Sequence, residues 1–287
     1  MGTAGRPVGG DGGAMTSARI AAALAHSSET RVVELGRGAV TQTGSRFLQL
    51  FGRRPAVILA DGNHWQAAGA PVLASLAEAG IRDVRMHLFP ATPTLYASYE
   101  RVEEVREFLA PLEAVPIAIA SGSLNDIVKL ACGELGREYM CVATAASMDG
   151  YIAFGASVTR DGFKSQFTCP APAGLIADVD IMAAAPPRLT ATGFADLIEK
   201  IPAGADWILA DELGVETLDR DVFDLMQGAM PQALADPEGC RLGAPEAIEG
   251  LGEGLVLSGL AMQAYRTARP ASGGGHHFSH TWEMGLS

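Results

Sequence analysis

The chain has 287 residues, of which 48% are hydrophobic and 19% charged, and this balance predicts a soluble globular protein of two domains. Its formal net charge of −12 argues against a nucleic-acid partner or an anionic membrane surface, because phosphate groups require a basic protein surface. No apolar run reaches the about 18 residues of a membrane-spanning helix and no signal peptide is evident, so we expect a cytoplasmic protein without membrane insertion.

Strands and helices alternate after a glycine-rich leader at residues 1–15, which we predict to be flexible. Continuous apolar runs predict five strands, at residues 31–36, 55–61, 84–89, 115–122 and 138–144, and the strand at residues 55–61 is predicted to be buried. Helical spacing predicts helices between them, at residues 64–80, 95–112 and 124–135. Such alternation is typical of a parallel sheet covered on both faces, with ligands at the carboxyl ends of its strands.

The predicted secondary structure changes near residue 183, from alternating strands and helices to helices alone. Helical patterns follow without a convincing strand between them, at residues 190–211, 220–234 and 246–265. We therefore predict an α/β dinucleotide-binding domain at residues 16–182, followed by an all-α domain at residues 183–287. The four cysteines form no CxxC pair and are predicted to be reduced core residues.

The first candidate motif is the segment ASGSLNDIVK, residues 120–129. Small residues at Ser121, Gly122 and Ser123 follow a strand and open a helix, so backbone N–H groups and the helix dipole can face a phosphate. The segment is neither a GxGxxG fingerprint nor a Walker loop. A tight strand–helix turn capped by Ser123 or Asn125 explains it equally well.

The second motif is the segment VATAASMDGY, residues 142–151, which also follows a strand. Thr144 and Ser147 place hydroxyl groups at the carboxyl end of that strand, where an α/β site is expected. Asp149 precedes a glycine, so it is either a site residue or a turn aspartate.

A lone carboxylate, Asp196, lies in the segment GFADLIEK. We expect it in the first turn of an otherwise apolar helix, where an acidic residue also interacts favourably with the helix dipole. The residue is therefore either a capping carboxylate or part of a site.

Three of the six histidines, His276, His277 and His280, fall within five positions near the end of the chain. His276 and His280 are four residues apart, which places them on one face of a helix. Imidazole is a common ligand of Zn²⁺, Fe²⁺ and Ni²⁺, and a carboxylate completes many such sites. The alternative is a chance cluster that resembles a histidine tag or caps a helix.

Five segments occur together in one order: GSLNDIVK, ATAASMDGY, LIADVDIMAAAPPRLTATGFADLIEK, LSGLAMQ and RPASGGGHHFSH. This series resembles the glycerol-1-phosphate dehydrogenases, which belong to the dehydroquinate synthase-like and iron-containing alcohol dehydrogenase-like enzymes. The resemblance covers about residues 30 to 287. It implies an enzyme that reversibly reduces dihydroxyacetone phosphate to sn-glycerol 1-phosphate with NAD or NADP and one divalent metal, Zn²⁺ or Ni²⁺.

The resemblance also implies roles for individual residues. It puts the adenosine ribose at Asp61, the pyrophosphate at Gly122, Ser123, Leu124, Asn125 and Asp126, and the nicotinamide at Thr144, Ala145, Ala146 and Ser147. It makes Asp196 and His276 metal ligands, with Asp196 also bordering the substrate. Asp149 and His280 would contact the substrate and are the two candidates for proton delivery, whereas His277 would be a bystander.

Two departures from the family pattern stand out. Ala153 replaces a serine near the cofactor, so one polar contact is expected to be lost. Relatives also continue after HTWEM with a helical segment that contains a second ligating histidine, so we expect a C-terminally shortened helical domain.

Two alternative functions stay open at this point. One is a polyol dehydrogenase of the same superfamily that acts on unphosphorylated glycerol, and the other is a catalytically silent NAD(P)-binding remnant. We expect a small-molecule substrate as the partner, and a homo-oligomer stays open.

Overall fold

The computed structural model describes residues 17–285, and the leader predicted at residues 1–15 lies outside the described residues. Eight strands fall within the described range: β1 Val32–Gly36, β2 Ala56–Asp61, β3 Val84–Phe89, β4 Val115–Ala120, β5 Met140–Ala143, β6 Ala156–Arg160, β7 Phe163–Phe167 and β8 Gly174–Asp178. The α-helices of the first part are α1 Ala18–Leu24, α2 Thr43–Phe51, α3 Gly62–Glu78, α4 Tyr99–Leu109 and α5 Gly122–Glu134. The later helices are α6 Val179–Ala183, α7 Pro187–Glu212, α8 Arg220–Gln227, α9 Met230–Ala233, α10 Pro237–Leu242, α11 Pro245–Tyr265 and α12 Gly274–Gly285.

Six strands form one parallel sheet in the order β1-β8-β5-β4-β2-β3. Every residue of β1, β2, β4, β5 and β8 is buried, because helices cover both faces of the sheet. This confirms the predicted α/β fold with a parallel sheet. The sequence analysis missed β8, a run of only five residues that pairs between β1 and β5.

The strands β6 and β7 form a separate antiparallel hairpin that the sequence analysis also missed. Its turn is Asp161–Gly162, where φ is 54° and 80°. An Asp-Gly pair is a strong hairpin signal, because both turn residues must adopt positive φ. That signal is present in the sequence and could have located the hairpin.

Beyond β8 the described residues form only helices and turns, as predicted. The longest are α7 and α11, of 26 and 21 residues. Helix α4 is shorter than its predicted span of residues 95–112. The segment before it instead runs beside the hairpin, where the Thr159 backbone N–H donates to the Ala97 carbonyl at 2.9 Å.

The state of the four cysteines was also predicted from the sequence. All four cysteines are free and buried, as predicted. No helix among residues 17–285 is long and apolar enough to cross a membrane.

Two local predictions are wrong. Asp196 is not in the first turn of its helix, because α7 begins nine residues earlier at Pro187. Neither Ser123 nor Asn125 caps α5, because that helix begins at Gly122 and Ser121 takes the N-cap position.

Candidate functional site

A cleft of about 290 Å³ lies at the carboxyl ends of the sheet strands. Its walls come from the start of α5, the loop at residues 148–155, the β6–β7 hairpin, α7 and the start of α12. Six of the site residues expected from sequence line it together: Gly122, Ser123, Asp126, Asp149, Asp196 and His276. Residues from four separate segments of the chain thus meet in one place.

The first turn of α5 borders this cleft and has no side-chain cap, since Ser121 makes no capping hydrogen bond. Backbone N–H groups at an uncapped helix start attract an anion. In β6, which also lines the cleft, the buried Ser157 Oγ has no hydrogen-bond partner among the described residues. An open helix start beside an unsatisfied hydroxyl fits the phosphates and hydroxyls of a dinucleotide.

Asp61, predicted at the adenosine ribose, ends β2 and caps α3. Its Oδ1 accepts the backbone N–H groups of Asn63 and His64 at 2.9 and 3.0 Å. Its Oδ2 lies 2.8 Å from His64 Nδ1. Burial opposes ionisation of Asp61, but hydrogen bonds from the side chain and backbone of His64 outweigh it and lower the pKa of the carboxyl.

His64 also reaches the start of α5, a contact that the sequence analysis missed. Its Nε2 accepts the Ser121 backbone N–H at 3.2 Å and lies 2.9 Å from Ser121 Oγ. The imidazole therefore bridges the ends of β2 and β4, the two places where the resemblance puts the ribose and the pyrophosphate.

Several residues predicted at the cofactor have buried side chains outside the cleft lining: Leu124, Asn125, Thr144, Ala145, Ala146 and Ser147. Leu124 packs into the main hydrophobic core. The Asn125 amide donates to the Gly150 carbonyl at 3.3 Å and accepts from the Tyr139 hydroxyl at 3.1 Å. Ser147 Oγ is buried without a hydrogen-bond partner in the described part of the chain.

The loop at residues 148–155 is held from the sheet side by Lys129, a residue that the sequence analysis did not single out. Lys129 is fully buried, and its ammonium donates to the carbonyls of Gly150, Ala153 and Gly155 at 2.6, 3.2 and 2.7 Å. A buried ammonium needs such partners because desolvation is costly. The only sequence signal was a lysine among the apolar positions of α5.

Two helical glycines lie against this loop and against the two residues that precede it. A Cβ at Gly193 of α7 would collide with the Ala146 carbonyl oxygen, and one at Gly259 of α11 would collide with the Ile152 side chain. A Cβ at Gly259 would also lie only 3.0 Å from the Asp149 carbonyl oxygen. Both helices therefore approach the loop backbone as closely as they do because these positions lack a side chain.

Asp149, Asp196 and Lys200 form a buried cluster in the cleft. Lys200 Nζ lies 2.8 Å from Asp196 Oδ1 and 3.0 Å from Asp149 Oδ2. Asp196 Oδ2 accepts the Asp149 backbone N–H at 3.0 Å, and Ser258 Oγ donates to Asp149 Oδ2 at 2.7 Å. Sequence reasoning found the two aspartates but missed Lys200 and Ser258.

Burial and neighbouring opposite charges shift the pKa values of this cluster in opposite directions. Burial and the neighbouring Asp149 carboxylate raise the pKa of Asp196 to about 6, although Lys200 acts in the opposite direction. Burial alone would lower the pKa of Lys200, but the two carboxylates outweigh it and raise that pKa. The ammonium is therefore held in its charged form between two carboxyl groups.

The predicted metal ligands are of a suitable chemical type but do not form a complete site. Asp196 and His276 bring a carboxylate and an imidazole to one cleft, and both are donors that Zn²⁺ and Ni²⁺ accept. Among the described residues, however, no group of three His, Cys, Asp or Glu comes together. Both oxygens of Asp196 are also engaged by protein donors.

The terminal histidines lie on α12, a helix as their spacing indicated. His276 borders the cleft, which is where the metal prediction requires it. The side chains of His277 and His280 lie outside what the structure describes, so the substrate role of His280 stays a prediction.

Comparison with known proteins agrees with this arrangement. Residues 34–186 match the family model described as iron-containing alcohol dehydrogenase. A glycerol-1-phosphate dehydrogenase of Halalkalibacterium halodurans is 32% identical over 254 residues, which are 88% of this chain and 63% of the relative. One from Haloarcula marismortui is 30% identical over 252 residues, which are 87% of this chain and 70% of the relative.

The chain therefore belongs to the iron-containing alcohol dehydrogenase family. Within that family it groups with the glycerol-1-phosphate dehydrogenases. Among solved structures, a probable glycerol dehydrogenase from Sinorhizobium meliloti superimposes with a TM-score of 0.66 at 16% identity, covering 84% of this chain and 67% of the other. That likeness supports the dehydroquinate synthase-like fold.

The chain is shorter than several of its relatives. It spans 63% of the Halalkalibacterium halodurans protein and 61% of a Bacillus velezensis glycerol-1-phosphate dehydrogenase.

Proposed function

We propose that this chain contributes to an NAD(P)-dependent dehydrogenase that reduces dihydroxyacetone phosphate to sn-glycerol 1-phosphate. The observation that carries the proposal is the single cleft shared by the start of α5, Asp149, Asp196 and His276. Relatives named for this activity, at 29–37% identity, support the choice of substrate.

The start of α5 is the proposed seat of the dinucleotide phosphates. Its uncapped N–H groups supply hydrogen-bond donors without adding a charged side chain. When bound, the nicotinamide supplies the hydride for the carbonyl carbon of the substrate. Asp61, at the end of β2, and His64, in the first turn of α3, are the proposed contacts of the adenosine ribose.

Asp149 is the proposed substrate contact beside the reacting carbon. Ser258 and Lys200 hold one of its carboxylate oxygens, and the loop around it is fixed by Lys129. Fixed orientation of this kind lowers the entropic cost of reaching a reactive geometry. Asp149 and His280 stay the two candidates for moving the proton to the developing alkoxide.

A divalent cation at Asp196 and His276 is proposed from the family resemblance, with Zn²⁺ and Ni²⁺ as candidates. Each Asp196 oxygen also accepts a hydrogen bond from the protein and keeps a second lone pair that such a cation could use. We also propose that the partner of this protein is its small-molecule substrate, that the protein is cytoplasmic and that it forms a homo-oligomer.

The test is oxidation of NADH and NADPH by the 287-residue chain with dihydroxyacetone phosphate, in the presence of Zn²⁺ or Ni²⁺. We expect turnover with the phosphorylated ketone and a loss of at least about tenfold in Asp149→Asn, a residue that touches the proposed substrate. A matched control is Asp161→Asn, in the exposed hairpin turn, which should retain activity.

The two alternatives predict different results in this assay. Turnover with glycerol or dihydroxyacetone, but none with the phosphorylated compounds, would identify a polyol dehydrogenase. Calorimetric binding of NADH without turnover on any of these substrates would identify a silent nucleotide-binding protein.

A further inference from the structure

Helix α7 has an exposed apolar face on the side opposite the cleft. Its inward side carries Asp196 and Lys200, which form the buried cluster with Asp149. The outward side carries a row of exposed, uncharged residues, which we call the outer stripe: Ala191, Ala195, Ile198, Pro202, Ala205 and Leu209. Ile198 and Leu209 are 46% and 58% exposed. Scattered apolar residues are normal on a protein surface, but a continuous row of this length is typical of an interaction site.

The spacing of the outer stripe is typical of a helix that pairs with another helix. Its positions alternate between steps of three and four residues, so that each position recurs after seven residues. A seven-residue apolar repeat keeps one seam turned towards a partner helix along the whole contact. Within residues 17–285 no helix covers this seam, since all six positions are exposed. The stripe therefore has the pattern of a paired helix without its pair.

Side-chain size and charge vary along the stripe in a way that fits a second copy of the same helix. The first half carries the small Ala191, and the second half ends with the large Leu209. The same spacing continues to the exposed Arg188 at the start of α7 and the exposed Glu212 at its end. When two copies pack antiparallel about a twofold axis at the middle of the stripe, Leu209 meets the partner's Ala191. Arg188 then meets the partner's Glu212, whereas parallel packing would bring like charges together.

A groove of about 230 Å³ lies beside the first half of the stripe. Its apolar lining includes Ala191, Phe194, Ala195 and Ile198 of α7 and Pro237 and Cys240 of α10. Small residues let a second helix approach closely, and the groove then accepts a large side chain from that helix. In the antiparallel arrangement this side chain is the partner's Leu209. An exposed leucine at one end of the stripe and an apolar groove at the other end are therefore complementary.

We infer that the outer stripe of α7 is a dimer surface, which docks antiparallel against the same stripe of a second copy of this chain. A twofold dimer uses one patch on both copies, and the complementary ends of the stripe meet this requirement. The inference rests on the proposed homo-oligomer, for which it names the surface, but not on the proposed reaction. Because Asp196 and Lys200 lie on the inward side of α7, the dimer contact also holds the helix that carries the buried cluster.

The first test is sedimentation equilibrium of the 287-residue chain without substrate or cofactor, which gives the Kd of the dimer. We expect Leu209→Glu to raise this Kd at least about tenfold, because a carboxylate would replace the side chain that enters the partner's groove. Phe163→Glu is the matched control, because Phe163 is a similarly exposed apolar residue, 68% exposed, on β7. It should leave the Kd unchanged. Circular dichroism of both variants verifies that they fold.

Charge reversal tests the antiparallel orientation. Arg188→Glu and Glu212→Arg each bring like charges together at both ends of the dimer, and each should raise the Kd about threefold to tenfold. The double variant restores opposite charges and should return the Kd to within about threefold of the wild-type value. Parallel packing predicts no such rescue.

Cysteine cross-linking tests the register without adding a charge. In the antiparallel arrangement Ala195 meets the partner's Ala205, and each position lies about 15 Å along the helix axis from its own counterpart. An equimolar mixture of Ala195→Cys and Ala205→Cys should therefore form a disulfide-linked dimer on mild oxidation, whereas neither variant should do so alone. The four native cysteines are buried and contribute little background.

Several results would overturn the inference. A wild-type chain that stays monomeric at about 100 μM has no such dimer, and its stripe would then serve a different polypeptide or none. A folded Leu209→Glu variant that dimerises as the wild type does, or an equal loss in Phe163→Glu, would place the dimer contact elsewhere. Absence of the mixed disulfide would exclude the antiparallel register.

These measurements separate the inference from the proposed reaction. A chain that dimerises through α7 but turns over no dihydroxyacetone phosphate retains the inference and loses the reaction. A chain that turns the substrate over as a monomer does the reverse.

Discussion

Gly193 of α7 lies directly against the carbonyl oxygen of Ala146, closer than any side chain would allow. Replacing it with alanine forces α7 away from the loop that follows β5. We expect Gly193→Ala to lower the free energy of unfolding by about 1–3 kcal/mol. Urea denaturation of the purified protein measures this.

The matched control is Gly250→Ala in α11. A Cβ there approaches only the Gln232 carbonyl oxygen, at 3.8 Å, which is an ordinary contact. Because alanine favours helix, this variant should gain up to about 1 kcal/mol. Similar losses in both variants would mean that contact with Ala146 is not the cause.

Lys129→Met should destabilise the fold strongly. The substitution removes the ammonium donor from three carbonyls, of which that of Gly150 keeps the Asn125 amide. It also removes a cation that lies 3.3 Å from Asp126 Oδ1. Losing one partner of a buried charge pair costs about 3–5 kcal/mol.

Chemical denaturation with Arg31→Met as the comparison checks this effect. Arg31 pairs with Glu138 at 2.8 Å on the surface, where an ion pair contributes at most about 1 kcal/mol. If Lys129→Met costs no more than Arg31→Met, the loop is held by packing and not by the ammonium.

His64→Ala should weaken binding of NADH, because the imidazole links Asp61 to the backbone of Ser121. Loss of one hydrogen bond of this type corresponds to about a threefold to tenfold increase in Kd. Quenching of protein fluorescence by NADH gives the Kd directly. His26→Ala, an exposed histidine beyond the end of α1, is the control and should bind as the wild type does. Equal Kd values for all three proteins would remove His64 from the cofactor site.

The buried thiols should make stability fall at alkaline pH. Burial raises the pKa of Cys141 to about 12 and that of Cys169 to about 11. A thiol in the unfolded chain has a pKa of about 8.5. The native state therefore keeps protons that the unfolded state releases, and the free energy of unfolding decreases as pH rises from about 8.5 towards 11.

Unfolding curves measured across this range check the sign, and Cys141→Ala should reduce the slope. Ellman's reagent at pH 8 gives a second readout, since Cys141 and Cys169 should react only after unfolding. Rapid labelling of either thiol in the native protein would contradict the prediction.

Most of the sheet could be predicted from sequence because β1, β2, β4 and β5 are buried on both faces and appear as continuous apolar runs. Strand β8 was missed because its sequence, GLIAD, is short and leads directly into α6. The hairpin carries its signal in Asp161–Gly162, but its outward residues weaken the apolar pattern. The apolar pattern thus located even the partly exposed β3 but missed β8, which is fully buried and short, and the partly exposed hairpin.

Asp149, Asp196 and His276 were ambiguous when taken alone, and they were singled out because they belong to segments that together resemble the glycerol-1-phosphate dehydrogenases. Lys129, Lys200 and His64 were missed because their importance depends on partners that are distant in sequence or on the opposite wall. Gly193 and Gly259 matter only through the backbone they approach, which no pattern in one sequence reveals.

The loop at residues 148–155 has consequences for protein engineering. Its position is dictated by α5, α7 and α11, and the Ser258 contact with Asp149 spans 109 positions of the chain. Grafting this loop alone onto another scaffold would transfer the aspartate without its placement. A transplant that retains its geometry must carry Lys129, Gly193 and Gly259 along with it, so the smallest portable unit is a set of four separated segments.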